Sequence, residues 1–340
     1  ALCVADYLRG CPMEQAAGVV IRPYGVQASD ASIDWASVTT AANICDESVS
    51  VLGGGNEARY TCNGSIDSDV SPKKALQSLI SSMAGHVAWS GGQWKIFAGA
   101  YRTPAVTLGD DDQCGPAKTQ AKRARRDLFN GIKGKFLGPR TFYQTTDFPN
   151  VTSATFVAQD NGEEIWQNIE LPFTDSPSAC QRISRIDLLR NRQQITTERR
   201  FKLSALGTQV GDTIMLTDSR KGWVAKPVEI ARWSLVSEPD EAGVPYLAID
   251  MTLVETASSV YAWTTADEWA FDTAPDSNLP RPWDVLVPGG PGIVEELYQT
   301  REGSGVKTRV TLSWASSQEG YLLDYIAEYK LTGDSQWLAL

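Results

Sequence analysis

The chain has 340 residues, a net charge of −10 and a single histidine. That acidic balance excludes a general nucleic-acid binder. No apolar run approaches the ~18 residues of a membrane helix. The length allows two or three domains. The chain opens ALCVADYL, with no Met and no signal-peptide pattern, and ends at WLAL inside what reads as a domain. A fragment of a larger protein is therefore expected. Cys3, Cys11, Cys45, Cys62, Cys114 and Cys180 are widely spaced, with no CxxC pair. They match no zinc pattern and read as buried or free thiols from a reducing compartment. Cys45 and Cys62 fall in one domain, close enough along the chain to meet.

Residues 1–8 predict a short helix, and Ile33, Trp35, Val38 and Ala41-Ala42 predict a second over 32–43. Gly53 to Ala58 formally satisfies G-x-G-x-x-A. That fingerprint has meaning only between a strand and a helix. Here it precedes the predicted strand 59–66, so it reads as a hairpin loop. Ser71 is placed as a helix N-cap with Pro72 at the first helical position. Leu76, Leu79, Ile80 and Met83 give one apolar helix face, and Gly85 is placed as the left-handed stop. Gly91-Gly92 then predicts a two-residue hairpin in which Trp89 faces Trp94 and Val87 faces Ile96. His86, between helix stop and hairpin, reads as structural.

After Asp110-Asp111-Asp112 the charge inverts. Lys118, Lys122, Arg123, Arg125, Arg126, Lys133, Lys135 and Arg140 are opposed only by Asp127, for a local net charge of +7. A phosphate-binding surface is one reading. With only Phe129 and Phe136 interleaved for stacking, a solvated or subunit-facing strip is preferred. Strands are predicted over 155–159 and 164–171, around an Asp160-Asn161-Gly162 hairpin turn. A helix is predicted over 176–192. Ala179, Ile183, Ile186 and Leu189 form its buried face, and Arg182, Arg185, Arg190 and Arg192 a solvated or interface face. Strands over 195–203, 213–217, 223–235 and 246–253 suggest a barrel or sandwich, interrupted by an acidic loop at 238–243. The Pro- and Gly-rich segment 272–292 reads as a linker. Beyond it, Val310, Leu312 and Trp314 alternate, as do Leu323, Tyr325, Ala327 and Tyr329, giving sandwich strands.

The fold class expected is α+β and mainly β, in several domains. These are an α+β domain at 1–105, a β-rich domain with one helix at 106–271, a linker at 272–291 and part of a β-sandwich at 292–340. There is no G-x-S-x-G, H-E-x-x-H or G-x-x-x-x-G-K-[ST] in the sequence. Adjacent carboxylates such as Asp46-Glu47 and Glu163-Glu164 read as solvated pairs. No catalytic, cofactor-binding or metal-binding residue is assigned, and no enzyme activity is expected.

AANICDESV (residues 41–49), RYTCNGSI, SPKKALQSLISSMAGHVAWSGGQWKIFAGA and KRARRDLFNGIKGKF (residues 122–136) together resemble the central tail-tip proteins of long non-contractile-tailed bacteriophages, the lambda J-like tip attachment proteins. Gln181-Arg182-Ile183, Val210-Gly211-Asp212 and Gly222-Trp223 fit the same pattern, so the resemblance runs over about residues 1–270. From Pro291 the chain resembles the opening of a fibronectin type III domain, with Trp314 at the strand-B tryptophan and Tyr325 and Tyr329 at the strand-C tyrosines. The resemblance implies a structural hub similar to the baseplate hubs of contractile tails. It implies a homotrimer closing the tail tube, beside distal tail and tape-measure proteins. Receptor contact lies outside this fragment, and nucleic acid is met only in transit. It further implies a virion protein made in the bacterial cytoplasm, with no cofactor. The strip Lys122, Arg123, Arg125, Arg126, Lys133 and Lys135 would then lie at a subunit interface or face the tube lumen. A carboxylate-dependent cell-wall hydrolase is the alternative. A cell-surface adhesion module would explain only the C-terminal segment.

Overall fold

The computed structural model describes residues 1–10, 13–15, 19–21, 24–67, 69–239, 245–272, 287–301, 305–317 and 322–340. Ala1–Thr273 and Ala274–Leu340 are separate units.

Three helices and three antiparallel strand pairs open the first unit. Helix α1 (Leu2–Arg9) is followed by the paired strands β1 (Met13–Gln15) and β2 (Val19–Ile21), then by α2 (Trp35–Cys45). The Asp34 carboxylate caps α2 by accepting from the Ala36 and Ser37 amides. Strands β3 (Ser48–Ser50) and β4 (Asn56–Ala58) form a hairpin whose loop holds Gly53, Gly54 and Gly55, so the fingerprint-like run is a hairpin loop. The predicted strand 59–66 is not one. Its amides bond one at a time to different elements: Arg59 to Glu47 O, Tyr60 to Cys45 O and Asn63 to Phe173 O. A chain shared among such partners has no single ladder to join.

Helix α3 (Pro72–Ser81) starts at Ser71 and Pro72 as expected, although the Ser71 side chain makes no capping bond. The stop falls one residue earlier than predicted. Ala84, not Gly85, is left-handed (φ 47). The Gly85 amide reaches back to Ile80 O and the Ala84 amide to Ser81 O, the paired bonds of a Schellman motif. Gly85 is needed for a different reason: a Cβ there would lie 2.2 Å from Phe97 O.

The hairpin of β5 (His86–Ser90) and β6 (Gln93–Phe97) has the expected register, Trp89 opposite Trp94 and Val87 opposite Ile96. Gly91 and Gly92 both have positive φ (63 and 78), which a two-residue turn of this hand requires. The two indoles meet edge-on, 5.1 Å apart at 68°, a geometry that contributes roughly 0.5–1.5 kcal/mol beyond area burial. Asp34 N donates to Trp94 O and Ile96 N to Ser37 Oγ, tying the hairpin to α2.

Two sheets follow. Strands β7 (Val106–Leu108) and β8 (Lys118–Gln120) lie far apart in the larger one. The smaller is centred on β9 (Gly131–Leu137). It pairs antiparallel with β10 (Thr145–Asp147) and β11 (Val151–Thr152), and parallel with β12 (Trp166–Leu171). Between β11 and β12 the predicted strand 155–159 is a helix, α4 (Ala154–Gln159). The Ser153 hydroxyl caps it. Gly162 N bonds Val157 O and Asn161 N bonds Ala158 O, so Asn-Gly ends a helix rather than turning a hairpin.

Helix α5 (Pro177–Arg192) has the predicted limits, and Ser176 caps it through Ala179 N. Strands β13 (Thr196–Phe201), β14 (Thr213–Asp218), β15 (Trp223–Pro239) and β16 (Pro245–Glu255) complete the larger sheet, in the order β7-β14-β15-β16-β13-β8. The expected barrel is not formed. Among the described residues β7 and β8 are unjoined edges, and the sheet is open. Each edge strand has three residues, against 17 in β15, too short to carry a closing ladder. The acidic loop falls largely at 240–243, outside the described residues.

The main core takes Leu8, Val38, Leu79 and Ile96 from the first 105 residues and Phe136, Leu171, Ile183 and Tyr261 from beyond them. A second core of Leu108, Phe201, Leu216, Ile230 and Leu253 backs the six-stranded sheet.

The second unit holds β17 (Gly289–Gln299) paired antiparallel with β18 (Val306–Ala315), and a short pair, β19 (Glu328–Tyr329) with β20 (Leu338–Ala339). The linker is named at 272–291, and its residues 273–286 lie outside the described ones. The alternation over 323–329 yields only the two residues of β19, since Tyr325 turns to meet Trp314 edge-on at 5.5 Å and its hydroxyl accepts from Ser317 N.

Candidate functional site

Helix α5 is the member to which most of the first unit is fastened. Residues 178–184 are buried consecutively, so the helix has no solvated side over that stretch. The arginine face expected to be solvated or at an interface is instead engaged within the unit. Arg182 is 1% exposed; it pairs with Glu57 at 2.8 Å, donates to Arg59 O and stacks over Trp263. Arg185 meets Asp267 at 3.0 Å. Arg190 donates to Ala84 O at 2.8 Å and to the Tyr261 hydroxyl at 3.2 Å. Arg192 pairs with Asp160 at 2.5 Å, donates to Phe129 O and lies over the Phe156 ring. One helix thereby fixes the β3–β4 hairpin, the end of α3, the end of α4 and residues 261–267. The sequence does hold a signal for this. Asp187 is the only acid within α5, so its arginines lack the mixed-sign i, i+4 neighbours of a solvated face.

Where α5 passes the Trp hairpin and the large sheet, half-buried charges collect. His86, Arg102, Arg190, Glu229 and Tyr261 line a small void. Burial, with Arg190 and Arg102 nearby, drives the His86 pKa down to about 4. Burial pushes the Glu229 carboxyl up, opposed by the same two arginines, and likewise raises Asp187. His86 packs on the Phe97 ring at 4.7 Å, and the Arg102 guanidinium lies over the same ring at 3.9 Å. The structural role read for His86 is the one its surroundings fit: it is a neutral packing group between two cations. In the large sheet, burial of Asp218 raises its carboxyl, but hydrogen bonds from Arg199 and Lys221 outweigh this and its pKa falls to about 2.

The basic strip divides. Lys122 is exposed and Arg123 half-buried. Arg125 pairs with Glu163, and Arg126 with Asp127 at 3.6 Å. Lys133 and Lys135 share one face of β9 and line an open cavity of about 790 Å³, joined there by Asp147, Phe148, Glu170 and Phe271. Lys122, Arg123, Arg125 and Arg126 do not reach that cavity. Acids thus interrupt the positive field. A second groove, of about 820 Å³, lies between α1, residues 62–72 and Phe173; Leu2, Tyr24 and Ile66 are exposed along it. Sequence reasoning did not anticipate it, because its walls come from segments without periodicity. Among the described residues, no group of three or more His, Cys, Asp or Glu side chains could hold a metal, and no helix is long and apolar enough to cross a membrane.

Residues 71–233 match the family of putative phage tail proteins. The matched segment runs from the start of α3 through the Trp hairpin, β9 and α5 into β15. Three solved structures are similar in part. A chain of the virion of the native gene transfer agent particle is 17% identical, with a TM-score of 0.46 over 67% of this chain and 47% of that one. The 43 kDa tail protein of prophage MuSo2 from Shewanella oneidensis is 18% identical, with a TM-score of 0.36 over 56% and 53%. Prophage tail protein gp18 from Listeria monocytogenes EGD-e is 14% identical, with a TM-score of 0.29 over 55% and 54%. The similarity thus spans about half the length of each of those chains. A search of curated proteins found no match.

Proposed function

We propose that this chain is a structural subunit of a phage tail tip. It acts as a homotrimeric central hub that closes the tail tube and carries host-attachment modules. The observation that carries this reading is the family match over residues 71–233, which takes in α3, the Trp hairpin, β9 and α5. The use of charge supports it: the arginines of α5 are engaged within the unit, as in a part that must hold its shape under load. Lys133 and Lys135, exposed on β9, are available to a neighbouring subunit or to the tube lumen. The distal tail and tape-measure proteins are the neighbours proposed. A host receptor is engaged through regions outside this sequence, and nucleic acid passes only in transit. Assembly takes place in the bacterial cytoplasm, and the mature protein resides at the virion tail tip. The strands β17 and β18 begin the fibronectin-like module that leads toward the host.

Light scattering on the purified chain tests the oligomeric part. A trimer of 37.1 kDa chains is expected. A strictly monomeric species, both alone and in tails dissociated from particles, would overturn it.

A further inference from the structure

Cys3, on α1, and Cys62, in the irregular segment after β4, are 59 positions apart in sequence, yet both line the 820 Å³ groove. Both are free thiols. The Cys62 thiol is near enough to the Cys3 thiol and to the Ser82 hydroxyl to share hydrogen bonds with them. Cys3 is exposed and Cys62 half-buried, so a small reagent reaches the first thiol directly, and the second lies behind it. The remaining described thiols differ. Cys45 and Cys180 are buried in the main core, and Cys114 stands against Arg200 on the far sheet.

We propose that Cys3 and Cys62 are a thiol pair that closes to a disulfide on exchange with a low-molecular-weight disulfide, tying α1 to the wall of the groove. The Cys3 thiolate attacks one sulfur of oxidised glutathione. A mixed disulfide forms and one glutathione thiolate leaves. Cys62 then gives up its proton to solvent, and its sulfur attacks Cys3 Sγ, expelling the second glutathione. Two protein thiols and one glutathione disulfide become one protein disulfide and two glutathione thiols, and no further oxidant is needed. Burial, with the neighbouring Cys3 thiol, raises the Cys62 pKa to about 11. Cys62 is therefore the slow, resolving partner, and Cys3 the one that meets the reagent. The bond would fasten the N-terminal helix to segment 60–63, which is already tied by Tyr60 N to Cys45 O, by Asn63 N to Phe173 O and by side-chain bonds from Tyr60 to Gly99 O and from Thr61 and Asn63 to Asp175. This pairing does not depend on the tail role; it is a property of the isolated chain.

The full chain is incubated with oxidised glutathione, or with a reductant, and digested without reduction for peptide mass mapping. A peptide pair linked through Cys3 and Cys62, lighter by about 2 Da and reversed by reductant, is expected. The oxidised chain should also melt about 4–7 °C higher than the reduced one. Cys3→Ser and Cys62→Ser should each lose both effects, and Cys114→Ser should keep them. Mapping on the unaltered chain decides the matter even where a variant folds poorly. Stable glutathione adducts on Cys3 without closure, linkage of Cys3 to any other cysteine, or two separately alkylated thiols would each overturn the proposal.

Discussion

Replacing His86 by Gln tests whether the charged void is arranged as described. In the folded chain burial, reinforced by Arg190 and Arg102, holds the His86 pKa at about 4, against 6.5 when unfolded. A folded pKa below the unfolded value means that the folded state binds fewer protons between the two. Stability contributed by the neutral ring is therefore complete above the unfolded value and lost as pH falls from 6.5 toward about 4. Between about pH 7 and about pH 4.5 this single group costs about 2.5 kcal/mol. Glutamine has a similar reach and does not titrate. Glu229 and Asp187, whose raised pKa values act in the opposite sense, are present in both proteins and cancel in the difference. Urea unfolding of both proteins at the two pH values is the assay. The gap between them should shift by about 2.5 kcal/mol in favour of His86→Gln at the lower pH. Parallel pH profiles would refute the burial of a neutral imidazole between Arg102 and Arg190.

Three further outcomes are expected. Arg192→Met leaves the Asp160 carboxylate without its buried partner and should lower unfolding stability by about 3–5 kcal/mol in denaturant titration; a loss under about 1 kcal/mol would show the pair to be dispensable. Gly85→Ala drives a Cβ to 2.2 Å from Phe97 O and should cost more than Gly54→Ala, whose added Cβ meets nothing within 4 Å. The second change carries only the roughly 1 kcal/mol of a positive φ, so equal melting shifts would refute the close approach of Gly85 to Phe97 O. The double variant Lys133→Glu, Lys135→Glu alters two exposed side chains and should leave the melting temperature within about 1–2 °C while reducing the yield of complete tails in a complementation assay. Full tail yield would remove the β9 face from the assembly interface.

The parts legible in the sequence are those whose cause is local. The α3 start, the Gly91-Gly92 turn with its Trp89–Trp94 register, and both ends of α5 follow from caps, turn residues and period. Misreadings arose where one local signal serves two structures. Asn161-Gly162 supplies positive φ equally to a hairpin turn and to a helix stop, and β-branched Thr155 and Val157 favoured the wrong one. The larger loss was the α5 arginines. Their partners Glu57, Asp160 and Tyr261 come from three separate segments, and only the folded chain assembles them. The divided basic strip has the same origin: Glu163 answers Arg125 from 38 residues away.

Imaging of the intact particle with this chain labelled tests the tail-tip assignment most directly. Density for three copies around the tube axis, at the end of the tail away from the head, is the outcome the proposed function predicts. Label along the tube wall or at the head, or copies in a number not divisible by three, would contradict it.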